Sequence, residues 1–136
     1  MEKIIEQMYQ EAMKAYQNAY APYSKFQVGA AVLLKDGKII TGSNIENASY
    51  GLTNCAERTA LFYTYSQGYR QEDIVKFLVV AHTKEPVSPC GACRQVMVEL
   101  LNKDVEIILT NLNKDMMKVK IADLLPYYFS EDHLHE

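Results

Sequence analysis

No apolar run in this 136-residue chain approaches the ~20 residues that cross a bilayer, so no transmembrane helix and no membrane partner are expected. The opening MEKIIEQMYQEAMKAY carries acidic residues and no small-residue cleavage site, which is not the pattern of a secretory leader; a cytoplasmic protein is expected. Clustered cations are missing as well. The 14 Lys and Arg residues are scattered and the net charge is −3, so a counterion-releasing grip on nucleic acid is not expected. No glycine-rich loop offers a phosphate cradle. Repeats, low-complexity tracts and linkers are also absent, and residues 1–136 read as one domain. What is left is a small substrate with little negative charge. Finally, there is no fourth cysteine. Cys55, Cys90 and Cys93 are an odd set, which argues against a disulfide framework in a reducing compartment.

What the chain does have is clear periodicity. Ile4, Ile5, Met8, Ala12, Ala15 and Ala19 recur at helical spacing, predicting an amphipathic helix over the first twenty or so residues, stopped by Pro22. Phe26, Val28, Ala30, Val32 and Leu34 alternate with their neighbours as in a strand. Asp36-Gly37 then signals a hairpin with an antiparallel return over Lys38 to Ser43. After a polar loop from Asn44 to Asn54, a second helix is expected over Cys55 to Gln67, closed by Gly68. Ile74 to Ala81 and Val105 to Leu109 read as strands buried on both faces, with a third helix at Gly91 to Leu101 between them. Met117 to Val119 predict a short last strand and Ile121 to Leu125 a helical turn. Alternating strands and helices imply an α/β fold, with helices on both faces of one sheet.

All three cysteines fall where a loop enters a helix. Cys90-Gly91-Ala92-Cys93 can bring two sulfurs to one ion, at ~2.3 Å each for zinc, and Cys55 can add a third. Helix N-termini favour thiolate over thiol. A structural zinc site closes with four protein ligands, whereas His82, His133 and His135 sit at a strand end and in a polar tail. Three ligands leave one position for water, the arrangement of a catalytic zinc. Three thiolates on Zn²⁺ carry a formal charge of −1, which Arg58, one turn after Cys55, can relieve by donating N–H bonds. Two other readings compete. A thioredoxin-like Cys-x-x-Cys accounts for neither Cys55 nor Glu57, and plain buried cysteines leave the paired spacing unexplained.

Cys55-Ala56-Glu57-Arg58 followed by Pro89-Cys90-Gly91-Ala92-Cys93-Arg94-Gln95 resembles the zinc nucleoside and nucleobase deaminases in their three-cysteine form. Ala21-Pro22-Tyr23-Ser24-Lys25-Phe26 with Val28-Gly29-Ala30-Ala31 is similar to the small cytidine deaminases in particular. So are Asn44-Ile45-Glu46-Asn47-Ala48-Ser49-Tyr50 and Leu124-Leu125-Pro126 with Phe129. The resemblance covers about nine-tenths of the chain.

It implies a three-layer α/β/α sandwich around a five-stranded mixed sheet, one Zn²⁺ per subunit, and a homotetramer with sites at subunit contacts. The implied reaction is hydrolytic deamination of cytidine and 2′-deoxycytidine in pyrimidine salvage, by zinc-activated water with Glu57 as proton shuttle. On the same resemblance Cys55, Cys90 and Cys93 hold the metal. Asn44 and Glu46 bind the ribose 3′-hydroxyl, Phe26 packs on the pyrimidine, and the Ala56 backbone helps to read the base. Tyr50 and Phe129 arrive from neighbouring subunits, and Arg58 and Gln95 support the thiolates. The competing functions are deamination of another small aminopyrimidine such as blasticidin S, and a non-catalytic zinc-stabilised oligomer.

Overall fold

In a computed structural model of the chain, which describes residues 2–130, the elements run α1 (Lys3–Gln17), β1 (Val28–Leu34), β2 (Ile39–Ser43), α2 (Ala56–Ser66), β3 (Ile74–Ala81), α3 (Gly91–Leu100), β4 (Glu106–Asn111), β5 (Met116–Val119) and α4 (Ile121–Leu124). One mixed sheet carries all five strands in the order β2-β1-β3-β4-β5, with β3 and β4 parallel and the other pairs antiparallel. Two short 3₁₀ turns, at Tyr50–Leu52 and Gln71–Asp73, are additions to the predicted elements.

Side chains of the central strands alternate between two cores. On one face Ile5, Met8, Tyr9 and Ala12 of α1 meet Ala31, Leu33, Leu78, Val80 and Ile108. On the other, Ala30, Val32, Phe77, Val79, Ile107 and Leu109 pack against Ala56, Ala60 and Leu61 of α2 and Met97 of α3. Helices cover both faces, so β1 is buried at every residue. At Asp36-Gly37 the hairpin turns with Gly37 at φ 89° and its N–H on the Leu34 carbonyl.

Two of the shifted boundaries lie beside the converging loops. α1 ends at Gln17, five residues before Pro22, because the chain leaves the helix to pair with the loop after β2: Tyr20 N–H bonds the Asn44 carbonyl (3.0 Å) and Glu46 N–H bonds the Tyr20 carbonyl (2.8 Å). β1 begins at Val28 rather than Phe26. The Phe26 carbonyl is taken by the Asn44 amide (2.8 Å) and the Val28 N–H by the Asn44 Oδ1 (2.9 Å), so a side chain replaces the ladder there.

The register decides where the loops meet. Gly29 pairs with Ser43, and Val28 with Ala81, so the start of β1 and the ends of β2 and β3 lie at one end of the sheet. The loops at 18–27, 44–55 and 82–90 therefore converge, and the last two lead directly into α2 and α3. Val87 N–H on the Thr110 carbonyl (3.2 Å) and the Asn111 amide on the Lys84 carbonyl (3.1 Å) tie the third loop to the end of β4.

Helix and sheet approach closely at Gly29, where an added Cβ would lie 2.1 Å from the Ala12 carbonyl oxygen of α1. Gly29→Val is expected to lower stability by about 3 kcal/mol, read as a fall in the urea midpoint. An unchanged midpoint would contradict this packing.

Candidate active site

Cys55 and Cys90 occupy the N-cap positions of α2 and α3, and Cys93 lies in the first turn of α3, where its backbone N–H points at the Cys90 sulfur (3.4 Å). The converging loops bring these helix starts together. Cys55 Sγ lies 3.8 Å from Cys90 Sγ, which lies 3.3 Å from Cys93 Sγ, and all three sulfurs fall within 4.8 Å of one another. Bonds of 2.3 Å to a tetrahedral zinc put sulfurs about 3.8 Å apart, so the donor set fits that ion. Among the described residues no histidine or carboxylate completes the group. His82 is exposed beyond the end of β3, and His133 and His135 lie outside the described residues.

The surroundings favour a thiolate at Cys55. The Cys93 thiol and then the Arg58 guanidinium, whose Nη2 lies 3.3 Å from the Cys55 sulfur, hold Cys55 down at about 5. Its hydrogen bond to Cys55 and its own burial push the Cys93 thiol up. A cation shared by all three sulfurs removes that competition for protons.

Glu57 is 5 % exposed, one residue inside α2 from Ala56. Residues i and i+2 of a helix face different ways, but Cys55 is the cap and not yet helical, at φ −74° and ψ 156°. Sulfur and carboxylate therefore both reach one cavity of about 280 Å³. Burial, with the Cys55 thiolate's charge adding to it, raises the Glu57 carboxyl to about 7. Such a group can take up and release a proton near neutrality.

The cavity gathers Phe26, Asn44, Glu46, Cys55, Ala56, Glu57 and Cys90 of the expected residues. Asn44 is buried and clamps the strand entry at Phe26 and Val28. Glu46 accepts the Tyr23 and Ser24 N–H groups on Oε1 (2.9 and 3.1 Å) and the Ser24 hydroxyl on Oε2. Tyr50 and Phe129 are not brought to the cavity: they stand 79 % and 57 % exposed. Gln95, expected beside the sulfurs, sends its amide to the Phe129 carbonyl (2.8 Å).

The cavity walls also hold residues to which the sequence reading gave no role: Ser24, Val28, Thr53, Val87 and Ser88. Arg94 is another. Its guanidinium spans the Pro89 carbonyl (2.9 Å), the Ser88 hydroxyl and the Leu124 carbonyl, fixing the loop that delivers Cys90. The available signal was position, since Arg94 and Ser24 lie inside the runs that carry the resemblance.

The family model for the cytidine and deoxycytidylate deaminase zinc-binding region matches residues 2–109. A cytidine deaminase of Halalkalibacterium halodurans is 55% identical over 131 residues, 96% of this chain and 98% of its own. One from Sporosarcina psychrophila is 51% identical over 130 residues, 96% of this chain and 94% of its own. The crystal structure of cytidine deaminase from Burkholderia pseudomallei aligns with a TM-score of 0.89 at 49% identity, covering 95% of this chain and 100% of that one. More distant is a blasticidin-S deaminase of Bacillus cereus, 29% identical over 80% of this chain and 81% of its own. Matched by the family model over most of its length, and more than half identical to two cytidine deaminases across nearly all of it, this chain belongs to the cytidine and deoxycytidylate deaminase family.

Proposed function

We propose that residues 1–136 form one catalytic unit that hydrolyses cytidine and 2′-deoxycytidine to uridine and 2′-deoxyuridine with release of ammonia, a salvage reaction of the cytoplasm. The observation that carries this reading is the Glu57 carboxyl, buried in the cavity wall beside three converging sulfurs. Held by Cys55, Cys90 and Cys93, a zinc ion would supply a Lewis acid with one position for water, acidifying it toward neutral pH.

The chain's own groups account for the remaining steps. Glu57 accepts a proton from the attacking water and delivers it to ring N3, which makes C4 electrophilic. It then carries the proton of the new hydroxyl to the amino group, which leaves as ammonia. The Ala56 backbone reads the base and the Phe26 ring packs against it. Asn44 and Glu46 each retain hydrogen-bonding capacity beyond the bonds that hold the 21–28 segment, enough to take the sugar 3′-hydroxyl. Arg58 offsets the excess negative charge of the thiolates.

A homotetramer fits the same picture. Tyr50 and Phe129 stand exposed, as residues serving a neighbouring subunit's cavity would, and Gln95 then acts by holding the Phe129 segment. Neither a nucleic acid nor a membrane partner is proposed. The charge balance offers no polyanion grip, and no helix among the described residues is long and apolar enough to cross a membrane.

Glu57→Gln keeps the volume of the carboxyl and removes its proton transfer. It is expected to retain zinc and the native far-ultraviolet spectrum while kcat on cytidine falls about 10²–10⁴-fold. Near-normal turnover would end the reading. In substrate profiling, cytidine and deoxycytidine should lose their absorbance rapidly, with little turnover of cytidine monophosphate, single-stranded DNA or blasticidin S. Comparable efficiency on any of these three would contradict the substrate assignment.

A further inference from the structure

Glu46 is held by a small network that the assigned roles do not use. Its Oε1 accepts two backbone N–H groups, from Tyr23 and Ser24, and its Oε2 accepts the Ser24 hydroxyl. That hydroxyl in turn accepts the Phe26 N–H at 3.0 Å. A serine hydroxyl has one proton. With Phe26 N–H donating into Oγ, the proton is directed to Glu46. Ser24 therefore fixes the plane of the carboxylate, and both residues line the cavity. The loop itself is pinned by a turn at Lys25, which takes φ 61° and bonds the Ala21 carbonyl (3.0 Å).

We propose that Ser24 is a positioning residue for sugar recognition: its hydroxyl orients Glu46 as an acceptor for the 3′-hydroxyl of the nucleoside. This rests on the proposed deaminase reading. The backbone amides and the Ser24 hydroxyl supply only donors, so Glu46 stays ionised and accepts a hydrogen bond from the ligand. The Ser24 hydroxyl, more than any other neighbour, holds the Glu46 carboxyl below the usual range. Asn44 holds the neighbouring backbone instead, its amide and carbonyl oxygen bridging Phe26 and Val28. Ser24 itself is exposed, so removing its hydroxyl leaves the cores intact.

The test is steady-state kinetics of wild type, Ser24→Ala and Ser24→Thr on cytidine and on 2′,3′-dideoxycytidine, with zinc content measured in parallel. Wild-type turnover of cytidine is the control for the underlying reading, and its absence would overturn both claims. With that control met, Ser24→Ala should raise KM for cytidine about tenfold, with kcat within about twofold, as expected when a charge-assisted hydrogen bond to the binding group is lost. On the dideoxy substrate, which has no 3′-hydroxyl, the penalty should shrink to about twofold or less, and Ser24→Thr should restore the cytidine KM. Unchanged kinetics in Ser24→Ala, a fall in kcat at constant KM, loss of zinc, or the same penalty on both nucleosides would each overturn the inference while leaving the deaminase reading standing.

Discussion

Three thiolates with their sulfurs within 4.8 Å of one another are an unfavourable cluster unless something positive holds them there. The chain supplies part of that charge itself. Cys55 and Cys90 sit at the positive ends of two helices, the Cys93 N–H points at the Cys90 sulfur, and Arg58 lies against Cys55. The remainder requires a cation, and the 3.8 Å spacing of Cys55 and Cys90 matches the edge of a tetrahedral zinc–thiolate site. Much of the fold's detail follows from bringing those two helix starts together. α2 closes on β2 at Gly42, where an added Cβ would lie 2.4 Å from the Ala60 nitrogen, and Arg94 anchors the loop before Cys90. Either displaced by an ångström would open the cluster.

The same convergence creates the reaction chamber. Because the start of β1 and the ends of β2 and β3 share one end of the sheet, their loops wall a cavity beside the sulfurs. Burial in that wall raises the Glu57 carboxyl to about 7, where the same residue on a surface helix would be an ordinary dipole-stabilising acid. The wall's polar end is different in kind. Glu46 is surrounded by donors and stays charged, an acceptor suited to hydroxyl groups rather than a shuttle. Two glutamates eleven residues apart thus acquire opposite protonation behaviour from their neighbours alone.

The helices and strands were legible because their signals are local: period 3.6 in α1, alternation in β1, Asp36-Gly37 at the hairpin, Gly68 at the end of α2. The mixed five-stranded sheet came from the family resemblance, since strand order depends on contacts far apart in sequence. Where the reading slipped, side chains had replaced backbone pairing. Asn44 ended the β1 ladder before Phe26, and the Tyr20–Glu46 stitch ended α1 ahead of Pro22. The cysteines and Glu57 could be singled out by motif and spacing. Ser24 and Arg94 could not be given roles, because a serine in a loop and an arginine on a helix say nothing of partners until the chain is folded. Gln95 likewise has a partner that its motif position did not reveal, the Phe129 carbonyl.

The central claim concerns what the sulfur cluster holds, and X-ray absorption at the zinc edge of the purified protein addresses it most directly. The account predicts three sulfur scatterers at about 2.3 Å and one nitrogen- or oxygen-type scatterer near 2.0 Å, with that light atom exchangeable for an added anion. A shell of four sulfurs, a histidine pattern in the outer scattering, or protein purified without a thiolate-bound metal would contradict it.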